Sequence, residues 1–97
     1  MHKSKFQTVE KIKKELTRIT EKHESVVNAK LNKINKTDSY WEKMEILLES
    51  RNSHHKEITN YTIEHVSDLD NSETYNIEII KRSSLSRFDD FLRHVPV

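Results

Sequence analysis

The chain contains no glycine, and its one proline is Pro96. Tight β-hairpin turns, phosphate-cradling loops and helix C-caps all draw on glycine, because it occupies positive φ at little steric cost. A chain without it is poorly equipped for an all-β fold or for a Gly-rich nucleotide loop. Proline breaks helices by removing an N–H and clashing with the preceding turn, and here it occurs only at the far end. The bias is therefore toward long helices.

Apolar spacing agrees. From about residue 5 to 36, Val9, Ile12, Leu16 and Ile19 recur at 3, 4 and 3, a heptad seam. The stripe then continues through His23, Val27, Leu31 and Ile34 at mostly four-residue steps. That change resembles a stutter, which locally unwinds a supercoil. A second helix is expected over about 40–66, with a stripe at Trp41, Met44, Leu48, Arg51, His55, Ile58, Thr62 and Val66. Its polar middle, Glu49 to Glu57, suggests a helix held mainly at its two ends, with the centre bent or lined by water. Ser67 to Glu73 is dense in Ser, Asp and Asn, which favour turns and caps, and Asn71 or Ser72 is the expected cap of a third element over about 73–94. Residues 74–80 alternate polar and apolar as a strand would, but a lone strand has no partner in a chain without hairpin signals. Read as helix, Ile77, Ile80, Ser84, Phe88, Phe91, Leu92 and Val95 form one stripe, with Ser83-Ser84 as a point of interruption.

The stretch Thr37–Leu48 holds the only Trp and the densest apolar run. Thr37, Asp38 and Ser39 favour caps and turns, and Ser39 with Glu42 fits a capping box. The charge balance also changes sign here. Residues 1–36 carry ten Lys/Arg and four Glu, a balance of +6; residues 37–97 carry seven Lys/Arg and twelve Asp/Glu, a balance of −5. A fold-back at this point would lay a basic helix against acidic ones. The spacing from Ile34 to Trp41 also permits one continuous rod, and in either arrangement Trp41 is expected in the core.

Most chemistry is poorly served. With no Cys there are no disulfides, thiol nucleophiles or Cys-based zinc sites. No two of the six histidines share the three- or four-residue spacing that puts metal ligands on one helix face. Carboxylates are too evenly spread for any pair to stand out, and no Gly-x-Ser-x-Gly or phosphate-loop motif is present. Neither a catalytic centre nor a cofactor or metal site is expected, and no small-molecule substrate. His23 and His55, on the stripes, would make packing sensitive to pH. The first residues, Met1 to Gln7, lack an apolar run after their charges, and no window approaches the roughly 18 apolar residues of a membrane span. The expected setting is intracellular, in cytoplasm or nucleus.

These readings converge on one all-α domain, a helical hairpin or three-helix bundle with coiled-coil character, completed by oligomerisation. Apolar side chains are thin for a globule, with Leu, Ile, Val and Phe together making 25 of 97 residues, and small chains often need a partner to bury enough surface. The expected function is a non-enzymatic interaction or assembly subunit, burying its helices against its own copies or another helical chain. Val9, Ile12, Leu16, Ile19, Trp41, Phe88, Phe91 and Leu92 are the interface candidates. A basic face at Lys11, Lys14, Arg18 and Lys22 offers nucleic-acid binding as an alternative. Interleaved Glu residues and a lack of stacking aromatics weigh against it. A third reading docks the Phe88/Phe91 helix into a partner groove, and its counterpart has those rings close the protein's own bundle over Trp41.

Overall fold

A computed structural model describes residues 5–34, 40–67 and 69–95, with side chains from Thr8 onward. Three helices account for nearly all of these: α1 (Lys5–Asn32), α2 (Tyr40–Val66) and α3 (Asn71–His94). Each packs against both others, so the fold is a three-helix bundle and the continuous rod is excluded. A 28-residue helix is about 42 Å long, and the seven residues from 33 to 39 can span at most about 25 Å. A parallel return is out of reach, so α2 runs antiparallel to α1. The shorter connection to α3 imposes the same reversal again, leaving α3 parallel to α1.

The helix limits differ from expectation at two ends. α1 stops at Asn32 rather than near residue 36; the N–H groups of Lys33 and Ile34 donate to the carbonyls of Lys30 and Leu31, each at 3.2 Å, tightening the last turn as the chain leaves the helix. The expected turn at Thr37–Ser39, and the Ser39 half of its capping box, lie outside the described residues. α3 starts at Asn71 because Asp70, not Asn71 or Ser72, is the cap. The Asp70 carboxylate accepts from the Glu73 backbone N–H at 2.9 Å, and the Glu73 carboxylate accepts from the Asp70 N–H at 3.4 Å. This reciprocal box decides the state of residues 74–80. They are helix, and the helix passes through Ser83-Ser84 unbroken. Asp70→Ala should cost about 1 kcal/mol and lower the thermal midpoint by roughly 4–8 °C, read by circular dichroism melting.

The core follows the α1 stripe closely. Ile12, Leu16 and Ile19 are buried against Ile58 of α2 and Ile77 of α3, and Val27 and Phe88 are buried toward the other end. α2 departs from expectation. Its buried residues are Ser50, His54, Ile58 and Thr62, at four-residue spacing. One face of the polar middle, Ser50 and His54, is therefore inside the bundle, while Glu49, Arg51, Asn52, Ser53 and Lys56 are exposed.

Trp41 is on the surface, 81% exposed, with Met44 and Leu48 beside it. The reason is rotational. One residue turns a helix by about 100°, and the row 50–54–58–62 lies roughly that far round from the row 41–44–48. A straight helix cannot bury both. Ile58 and its neighbours face the isoleucine core of α1 and α3, which orients all of α2 and leaves Trp41 outside.

Candidate functional site

Two features stand out, an apolar surface at the start of α2 and a histidine layer at mid-bundle. The surface stripe is Trp41, Met44 and Leu48, spaced 3 and 4 so that the side chains stack along one line, with the Tyr40 ring edge-on to Trp41 at 5.5 Å. Leu48 is 58% exposed. Next around the helix come Glu42, Glu45 and Glu49, all exposed, so the stripe has an acidic flank. On its other side lie Arg51 of α2 and Asp89 of α3, joined at 3.4 Å. Isolated exposed apolar residues are ordinary; it is the contiguity of this run that sets it apart.

The histidine layer is built from all three helices. His54 of α2 is fully buried and stacks on Phe88 of α3, ring centres 4.2 Å apart and planes 21° from parallel. His23 of α1 meets His54 edge-on at 5.4 Å, and His55 lies 5.7 Å away. Each outer histidine is held by a carboxylate: His23 Nε2 to Glu57 at 2.7 Å and His55 Nε2 to Asp89 at 3.0 Å. Lys22 also donates to Glu57 at 2.8 Å. Burial opposes ionisation of Glu57, but the hydrogen bonds from Lys22 and His23 prevail and hold its carboxyl below the usual range.

His54 itself bonds only to Thr20, Nε2 to Oγ1 at 2.9 Å. The Thr20 hydroxyl has one proton, which it donates to the Leu16 carbonyl at 3.0 Å. Thr20 must therefore accept from His54, and the hydrogen-bond network assigns neutral His54 as the Nε2–H tautomer. Its Nδ1 is left as a bare lone pair, buried, with no hydrogen-bond partner. Burial first, then the neighbouring His23 and His55, depress its pKa from 6.5 to about 4.

The residues singled out by spacing separate into three groups. Ile12, Leu16, Ile19 and Phe88 are buried in the chain's own core, and Val9, Phe91 and Leu92 are half-buried at its margin. They are occupied in holding the bundle together. Phe88 closes over His54 rather than over Trp41. On the basic face, all four cations are exposed, but Arg18 pairs with Glu15 and Lys22 with Glu57, so two of the four are already neutralised within the bundle. Trp41 alone among the interface candidates is free for contact. The periodic signal pointed to His55 as the stripe histidine. The buried one is His54, and only the α2 rotation distinguishes them.

His54 is fully buried, its Nδ1 included. Among the described residues no three His, Asp or Glu side chains converge as a metal-holding group, and no helix is long and apolar enough to cross a membrane. No family model, no curated protein and no solved structure matches the chain.

Proposed function

We propose that this protein is a non-enzymatic interaction module that docks an amphipathic helix of a partner protein on the Trp41–Met44–Leu48 stripe. The observation carrying this is the exposure of Trp41 beside two more exposed apolar side chains at helical spacing. The bundle buries a core of its own, so the stripe is surplus to folding. A stripe of this spacing is met best by another helix, reading its anchors at i, i+3 and i+7. The exposed Glu42, Glu45 and Glu49 beside it select a partner whose apolar stripe is flanked by Lys or Arg, since complementary charge steers association and suppresses wrong partners. Large rigid aromatics such as Trp are also the residues that most often dominate binding energy at interfaces.

The single Trp is its own reporter. In the free protein Trp41 should emit as a solvated indole. Titration with a synthetic helical peptide of leucines flanked by lysines should shift the emission to the blue, and the same peptide with glutamates for lysines should not. Met44→Glu and Leu48→Glu, which keep the reporter, should abolish the shift while helicity is retained. A blue shift that appears on concentrating the protein without peptide, with doubled mass by light scattering, would assign the stripe to a second copy instead. Solvated emission under all these conditions, with a monomeric mass throughout, would overturn the interaction reading.

A further inference from the structure

We propose that the histidine layer is an acid-sensitive latch: protonation of His54 at Nδ1, as the pH falls below neutral, opens the contact between α2 and α3 and loosens the bundle at its centre. This concerns the core of the bundle and is independent of the docking stripe.

The geometry dictates the direction. A proton arriving at His54 must go to Nδ1, because Nε2 already carries one and gives it to Thr20. There it creates a charged donor in a slot where no acceptor reaches it, and a buried charge without a partner is strongly disfavoured. The face of the Phe88 ring covers the imidazole at 4.2 Å, and a weak cation–π attraction is the one compensation it offers.

The groups around the ring do not rescue the charge. From α1 the nearest is His23, itself a histidine, with Glu24 engaged by Arg87 of α3 at 2.7 Å. From α2 come His55 and Glu57. From α3 comes Asp89. The two carboxylates that could attract the cation are held elsewhere, Glu57 by His23 and Lys22, Asp89 by His55 and Arg51. They moderate the effect at a distance and make no bond to His54. Its closest ring neighbours besides Phe88 are the imidazoles of His23 and His55, which oppose a charge on it.

The fold therefore prefers the neutral ring, while the unfolded chain takes up the proton near the ordinary value of 6.5. Between the folded and unfolded values the unfolded chain binds more protons. Stability from this residue is complete above about 6.5 and is lost as the pH falls toward 4. Across that window the folding equilibrium constant should drop by up to about tenfold per pH unit. Most of the window lies above 4.5, the ordinary value below which Glu15 and Glu57 are both held.

The test compares urea unfolding of the wild-type protein with His54→Leu at steps from pH 7.5 to 4.5. Leucine keeps an apolar contact with Phe88, leaves Thr20 bonded to Leu16 and keeps His23 and His55 in place. The wild type should lose stability steeply across the range, and His54→Leu should lose much less. Equal slopes would overturn the proposal. Should His54→Leu fail to fold, a histidine NMR titration of the wild type decides: His54 must stay neutral while it is stacked on Phe88, and its protonation must coincide with loss of the His54–Phe88 contact. A folded protein in which His54 protonates near 6.5 without opening would sink the latch.

Discussion

Phe88→Ala should cost about 3–5 kcal/mol, the usual loss for deleting a fully buried aromatic. Domains are stable by only about 5–15 kcal/mol in all, and a bundle this small belongs near the lower end, so the variant should be largely unfolded at modest urea. More than side-chain volume is lost. Phe88 is completely inaccessible and touches aromatic rings from two other helices, His23 edge-on at 6.1 Å and His54 face-on at 4.2 Å, while Phe91 tilts against it at 5.9 Å. Such pairs contribute roughly 0.5–1.5 kcal/mol beyond area burial. Removing the ring also uncovers the flank of a buried imidazole whose Nδ1 already lacks a partner. Phe91→Ala, at a half-buried position, should cost distinctly less. Urea denaturation followed by circular dichroism at neutral pH reads both. Phe88→Ala with near wild-type stability and lost binding to a partner would return this helix to the role of a docking peptide.

The division between what the sequence disclosed and what it hid has a physical basis. α1 was legible because its inward face is apolar at Ile12, Leu16, Ile19 and Val27, with only Thr20 and His23 between, so composition and geometry largely point the same way. The start of α3 was half legible. A turn was evident from the Ser, Asp and Asn cluster, but several adjacent residues could cap, and only backbone position distinguishes Asp70 from Asn71. α2 misled because its clearest apolar row, through Trp41, lies about 100° round from the largely polar row that is buried. The row through Trp41 is more hydrophobic, yet the row through His54 is buried, since rotation is set by contacts with α1 and α3 that are remote in sequence. A buried layer of Ser50, His54 and Thr62 reads as solvent-facing to any count of apolar spacing. Partnership accounts for part of it: Thr20 and Thr62 return their hydroxyls to the Leu16 and Ile58 carbonyls one turn back, whereas Ser50 Oγ and His54 Nδ1 are buried without a hydrogen-bond partner. The charge asymmetry was informative for one pair between helices and not for the other: Lys22 with Glu57 joins the basic α1 to the acidic α2, whereas Arg87 of α3 pairs with Glu24 and Glu21 of α1, against the segment balance. These pairs are largely exposed and each adds little stability, so they orient the bundle more than they hold it.

The rotation of α2 is itself open to a sharp test with one residue type. Leu16 and Leu48 are the same side chain on regular helix, and both fall on a periodic apolar row. Leu16 is fully inaccessible within the isoleucine core, whereas Leu48 is 58% exposed. Leu16→Ala should cost about 2–5 kcal/mol through lost burial and the cavity left among Ile12, Ile19, Ile58 and Ile77. Leu48→Ala should change stability by no more than about 0.5 kcal/mol, and any loss of contact surface is partly offset because alanine favours helix at least as well as leucine. Chemical denaturation of the two variants gives the comparison directly. Were the helix turned by one residue, so that Trp41, Met44, Leu48 and His55 faced inward, Leu48→Ala would be as damaging as Leu16→Ala, and Ser50 and His54 would lie in solvent. Equal losses for the two leucines would therefore remove both the exposed stripe and the buried histidine together, whereas a difference of 2 kcal/mol or more (on the scale of a core cavity) supports the packing from which both were argued.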